Sequence, residues 1–304
     1  MLINHFSEAI GNTPLVKINR MNNSNVNIYA KVESMNPLSS TKDRAALYMI
    51  EEAEKRGDLK EGSIIVEPTS GNTGVGLAYI SAIKGYRTIF VMPENMSIER
   101  VKLLKAFGAE IILTDAIKSM TGAIEKAKEL AKTNKNIFIP QQFNNRDNPL
   151  SHYKTTGPEI YKDLDGKVDI FVSAVGTGGT LSGCARYFKE KNSKIKVIAV
   201  EPATSAVISR EVAGSHGIQG IGAGFIPNNL DTQLIDEVVK ITTEEAYKIT
   251  RDIAKKEGIL VGVSSGSALS AALLIARRVE NEGKNIVVIF PDTGERYLST
   301  ALFD

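Results

Sequence analysis

The 304 residues contain no tryptophan, one cysteine, Cys184, and three histidines, His5, His152 and His216. A single cysteine excludes an internal disulfide and any multi-cysteine metal site, and fits a reducing compartment. No metal is expected, and Cys184 reads as a small residue packed beneath a helix. Net charge is also scarce: 37 Lys and Arg against 35 Asp and Glu leave +2, with the charges well mixed. That excludes a basic nucleic-acid footprint and points to small or neutral partners. Long apolar runs are missing. The longest, ALSAALLIA from Ala268 to Ala276, is interrupted by a serine and too short to cross a bilayer. The first residues, MLINHFSEAI, show neither a basic leader nor a signal-type apolar core, so the expectation is a cytoplasmic chain without membrane contact. Repeats and low-complexity tracts are absent.

What the chain does have is alternation. Short β-branched runs predict buried strands over 63–69, 87–94, 109–115 and 136–140, and helical spacing predicts helices over 72–85, 97–108 and 121–134. The turn-forming stretch QQFNNRDNP, 141–149, interrupts this rhythm, and a second series follows. It has strands over 168–175, 194–202 and 284–293, and helices around 179–192, 243–257 and 265–280. The fold class is α/β, two halves with mostly parallel sheets, and ligands belong where strand C-termini turn into helices. Residues 203–230, rich in Gly and Pro, show no clear element, and a loop of that length is usually functional or disordered.

Four stretches carry candidate chemistry. VGVSSGSAL contains G-x-S-x-G at Gly262, Ser264 and Gly266, the pattern of a hydrolase nucleophile elbow. All three histidines precede Ser264, whereas in α/β-hydrolases the activating histidine comes last, so Ser264 needs another role. VGTGGTLSG follows a strand and opens a helix, where converging glycine N–H groups suit a phosphate. Its rivals are a dinucleotide turn, with Glu201 as the ribose acid although position 181 is Leu rather than Gly, and glycines needed only for packing. EPTSGNTGVG offers Thr69, Ser70, Asn72 and Thr73 beside free helical N–H groups, which suits a carboxylate, against ordinary capping as the plainer alternative. In NPLSSTKDR, Ser40 and Asp43 have capping-box spacing and place Lys42 in the first helical turn. Spacing alone favours a solvated surface lysine. The macrodipole also depresses an ammonium pKa there, so a nucleophilic amine stays open as well.

Together with IGNTPLV at 10–16, QQFNN, TTGPEI at 155–160 and HGIQGIGAGFIP at 216–227, these stretches resemble the cysteine synthase (O-acetylserine sulfhydrylase) family, fold-type II pyridoxal-phosphate enzymes related to the tryptophan synthase β chain. The resemblance covers nearly the whole chain and implies two doubly wound βα domains. The smaller and mobile one spans 35–145, and the larger one spans 1–34 and 146–304. It implies pyridoxal 5'-phosphate as cofactor, carried by Lys42 and received at its phosphate by Gly176, Thr177, Gly178, Gly179 and Thr180. Ser264 would partner the pyridine nitrogen, and Asn72 the ring oxygen. Thr69, Ser70, Gly71, Asn72, Thr73 and Gln142 would bind the substrate carboxylate. The implied reaction is β-replacement of O-acetyl-L-serine by sulfide through an α-aminoacrylate, giving L-cysteine and acetate. A cysteine-consuming, sulfide-releasing lyase and a cystathionine β-synthase-type reaction are the alternatives, because Leu38, Ser39 and Thr41 depart from residues common among such enzymes. The implied partners are a second copy in a homodimer and the C-terminal tail of serine acetyltransferase.

Overall fold

Parallel strands joined by helices close into two separate sheets. The computed structural model describes residues 2–304. In chain order the elements are β1 (Leu15–Ile18), β2 (Asn27–Val32), α1 (Lys42–Arg56), β3 (Ile64–Pro68), α2 (Asn72–Lys84), β4 (Arg87–Pro93), α3 (Ile98–Ala106), β5 (Glu110–Thr114), α4 (Ser119–Thr133), β6 (Ile137–Phe138), α5 (Asp147–Ser151), α6 (Gly157–Asp163), β7 (Ile170–Ala174), α7 (Gly179–Lys191), β8 (Lys196–Pro202), β9 (Glu237–Ile241), α8 (Thr243–Asp252), α9 (Val263–Ala276) and β10 (Asn285–Phe290). Contacts divide the chain into one unit of the residues up to Ile10 with Lys42–Asn148, and another of Gly11–Thr41 with Pro149–Asp304.

In the first unit the sheet order is β5-β4-β3-β6, parallel throughout. Val66, Ile89 and Val91 meet Ala123 and Ala127 of α4 in its core. Helices α1 and α2 lie close because position 76 is glycine: a Cβ there would stand 2.9 Å from the Lys42 carbonyl oxygen and 3.0 Å from the Ala46 Cβ. In the second unit the order is β1-β2-β10-β7-β8-β9, and only β1 runs antiparallel to its neighbour. Its apolar residues form clusters on both sides of the sheet, with buried α9 in one and α7, including Cys184, in the other.

The contacts draw the unit boundary differently from the expected 35–145. Residues 35–41 belong with the second unit, because Ser40 bridges Asp292 and the Thr41 amide donates to the Pro291 carbonyl just beyond β10. The N-terminal turn belongs with the first, where Phe6 packs edge-on against Tyr79 at 6.0 Å. Strands β1, β2 and β9 lie outside the predicted set. So does the near-continuous helix of α5, a π turn over His152–Thr156, and α6. Pro158 lacks the N–H that an α-helix would bond back, and the π turn just before it accommodates that loss. Residues 203–230 contain no helix or strand, as expected, yet they are tied down. Glu201 accepts from the Ile208 and Ser209 amides at 2.7 and 3.0 Å, and the Gly222 amide donates to the Val175 carbonyl at 3.0 Å.

Candidate active site

The first unit presents a turn between β3 and α2. Strand β3 ends at Pro68, Thr69 is buried, and Gly71 is the N-cap of the 13-residue α2. No side chain caps this helix, so its positive end is available to an anion rather than consumed internally. The Thr69 hydroxyl accepts from the Gly71 amide at 3.3 Å, and the Ser70 carbonyl accepts from Arg100 at 3.2 Å, which shape the turn from both sides. Thr73 donates its hydroxyl proton to Gln142 Oε1 at 2.6 Å. Gln142 is buried, whereas its neighbour Gln141 is exposed with φ +57, so Gln142 is the glutamine joined to this turn. Lys42 is the first residue of α1, in the helical turn where the capping-box spacing puts it, but it is half-buried rather than the solvated surface lysine that spacing alone favours. The Thr41 hydroxyl beside it is buried without a hydrogen-bond partner.

The second unit presents the turn between β7 and α7. Gly178, at φ +81, is the N-cap of the 13-residue α7, and no side chain caps it either. A Cβ on Gly176 would fall on the Gly220 carbonyl oxygen, and one on Gly178 would stand 2.8 Å from the Leu230 amide nitrogen. Only glycine lets the backbone follow this path, and the result is a concave run of N–H groups at a helix start, which fits a phosphate. Thr177 is buried within it, and Thr180 Oγ1 lies 3.2 Å from His152 Nε2. The dinucleotide alternative fails on Glu201, whose two carboxylate oxygens are taken by backbone amides.

Ser264 is the second residue of α9 and buried. His152 bonds Thr156 and Thr180, and His216 bonds the Gly222 carbonyl, so neither serves Ser264 as a base. The glycines of G-x-S-x-G answer to packing. A Cβ on Gly262 would meet Asp292 Oδ1, and one on Gly266 would meet Thr250 Oγ1 of α8. Ser264 thus lies buried at an uncapped helix start.

Three contributors escaped the sequence reading. His152 supports Thr180, Gly220 and Leu230 back the glycine cup, and Glu67 holds the Gln142 turn. The motif HGIQGIGAGFIP contains Gly220 and EPTSGNTGVG opens on Glu67, whereas nothing local marked His152 or Leu230.

The two α/β units with mostly parallel sheets are those of the pyridoxal-phosphate enzymes of fold type II. A family model described as pyridoxal-phosphate dependent enzyme matches residues 6–292. Cysteine synthase A of Salmonella typhi is 55% identical over 306 aligned residues, covering 98% of this chain and 94% of that protein. Among solved structures, the cysteine synthase of Entamoeba histolytica has a TM-score of 0.98 at 47% identity, covering 100% of this chain and 91% of that one. A hydrogen sulfide-producing enzyme of Fusobacterium nucleatum has a TM-score of 0.95 at 48% identity, covering 98% and 99%. The chain belongs to the cysteine synthase family of pyridoxal-phosphate enzymes.

Proposed function

We propose that the chain makes L-cysteine and acetate from O-acetyl-L-serine and sulfide, with pyridoxal 5'-phosphate as its cofactor. The observation that carries this reading is that each unit presents an uncapped helix start, a Thr/Ser/Asn turn in one and a glycine cup in the other, in a chain similar to cysteine synthases over nearly its full length. In this reading Lys42 holds the cofactor, and Gly176, Thr177, Gly178, Gly179 and Thr180 receive its phosphate. Ser264 would partner its ring nitrogen, and Asn72 its ring oxygen. Bound there, the group supplies an electron sink conjugated to the substrate's α-carbon.

The chain's own residues do the rest. Thr69, Ser70, Gly71, Asn72, Thr73 and Gln142 orient the amino acid by its carboxylate, using hydroxyl, amide and helix N–H donors. The Lys42 amine removes the α-proton, acetate leaves the β-carbon, hydrosulfide adds to that carbon, and Lys42 returns the proton to the α-carbon. Ser264 is neutral and cannot hold a ring proton as an aspartate would. The sink is therefore weaker, which suits elimination over reactions needing a long-lived carbanion. Closure of the 69–73 turn on the carboxylate would keep water out.

Product analysis tests the reading. O-Acetylserine with sulfide should yield cysteine and acetate faster than cysteine alone yields sulfide, because acetate leaves without acid assistance; faster sulfide release from cysteine would reverse the direction. The same reading includes a cytoplasmic homodimer and competition between O-acetylserine and a peptide of the serine acetyltransferase C-terminus. Sedimentation and peptide titration test these. Among the described residues no helix is long and apolar enough to cross a membrane.

A further inference from the structure

We infer that Glu67 is a positioning residue for the substrate carboxylate, its buried side chain locking Gln142 and, through Gln142, the hydroxyl of Thr73. The role rests on the reading of the 69–73 turn as the carboxylate site. Glu67 lies one residue before the end of β3 and is 1% exposed. Its Oε2 accepts from the Gln141 amide at 2.9 Å and its Oε1 from the Gln142 amide at 3.1 Å. The Gln142 side chain bonds the same carboxylate, and Gln142 Oε1 accepts from Thr73 at 2.6 Å. Asn148 holds the Gln142 carbonyl from the other side at 2.9 Å.

An unbroken set of hydrogen bonds therefore runs from the end of β3, through the 141–142 turn, to the second residue of α2. Those are the two ends of the substrate turn. The left-handed backbone of Gln141, φ +57, is held where both consecutive amides reach one carboxylate.

The set has a polarity. An ionised carboxylate only accepts, so it satisfies the two backbone donors and keeps the Gln142 amide nitrogen toward itself, leaving the amide oxygen for Thr73. A proton on Glu67 places a donor among donors and removes that order. Burial pushes the Glu67 carboxyl up from 4.5 to about 7, opposed only by the Gln141 and Gln142 hydrogen bonds. No ionised side chain, on its own strand or on β4, β6, α2 or α4 beside it, shifts it further. The lock is thus set above neutrality and released below it.

The test is steady-state kinetics of the holoenzyme with O-acetylserine for wild type, Glu67→Gln, Thr73→Val and Gln142→Ala, from about pH 6 to about pH 8.5. Near pH 8, Glu67→Gln should raise KM for O-acetylserine about tenfold while kcat stays within about twofold. Toward pH 6 the wild type should approach the variant, since protonation and substitution remove the same charge. Thr73→Val breaks the far end of the set without touching the buried carboxyl. Its KM should rise and also lose the pH dependence seen in the wild type, and that flattening, together with the wild-type profile itself, reports on Glu67 even where Glu67→Gln fails to fold; a wild-type KM that does not change between about pH 6 and about pH 8.5 would overturn the role. If Gln142→Ala and Thr73→Val raise KM while Glu67→Gln matches wild type at every pH, the role of Glu67 is overturned. If none of the three raises KM, the carboxylate assignment of the turn itself falls, and the role of Glu67 with it.

Discussion

A single β-carbon at position 178 probes the phosphate cup. Gly178 has φ +81, and a Cβ there would stand 2.8 Å from the Leu230 amide nitrogen and Cβ and 2.9 Å from its Cα. Holding alanine in the left-handed region costs about 1–2 kcal/mol. The close contacts fall largely on backbone that cannot rotate away, so the Leu230 segment must shift, at a further cost of about 1–3 kcal/mol. Reduced freedom of the unfolded chain returns about 0.4–1 kcal/mol. Gly178→Ala should therefore destabilise the cofactor-free protein by about 2–4 kcal/mol. Gly258 separates the two costs within the same unit, because it has φ +71 and a Cβ there would meet nothing within 4 Å. Gly258→Ala should lose only about 0.5–1.5 kcal/mol. The backbone shift also moves the α7 N–H groups, so cofactor affinity should fall at least about tenfold in Gly178→Ala and stay unchanged in Gly258→Ala. Urea unfolding followed by circular dichroism, with equilibrium dialysis of the cofactor, measures both. Equal destabilisation of the two variants with full cofactor retention would refute the geometric argument.

Lys42→Ala should abolish the visible absorbance of purified protein, because a carbonyl cofactor joined to an amine is the chromophore; a borohydride-reducible lysine adduct persisting in the variant would remove Lys42 from that role. Asn72→Ala should weaken amino-acid binding more than cofactor retention, since the phosphate cup lies on a separate turn, and spectroscopic titration with O-acetylserine separates the two. Glu201→Gln leaves one half-buried amide of the 203–230 loop poorly paired, at about 1 kcal/mol, and should speed limited proteolysis within that loop. Glu67 binds its proton more tightly folded than unfolded, with a pKa raised from 4.5 to about 7. Its stabilisation is therefore full below about pH 4.5, declines as pH rises, and is gone above about pH 7, a change of about 3 kcal/mol. Denaturant midpoints of Glu67→Gln should lack that component, and parallel profiles for variant and wild type would contradict the assignment.

Much of this protein is legible locally. Every predicted strand of the first βα series appears within a few residues, and β3 and β4, central in the sheet, are buried as their continuous apolar runs imply, whereas the edge strands β5 and β6 are partly exposed, which the sequence reading did not anticipate. The turns at 69–73 and 176–180 are equally legible, since anion sites at helix starts demand Gly, Ser, Thr and Asn at fixed offsets. Lys42 at a helix start follows from capping-box spacing alone. Other features depend on partners distant in the chain. β2 contains Lys31, a residue that argues against a buried strand until Glu159 is found 2.9 Å from its ammonium and the Thr13 carbonyl 2.6 Å away. The helix through His152–Thr156 survives its flanking prolines and Gly157 through a π turn that local propensity disfavours. Glu67 reads as one acid in a strand, and only folding brings two amides and a glutamine from 75 residues away onto its carboxylate. Residue types and short spacings thus pointed to the groups proposed to bind a carboxylate and a phosphate. Which buried charges are paired, and which side chains hold the binding groups in place, was decided by tertiary contacts, because desolvation and hydrogen-bond satisfaction depend on what surrounds a residue in space.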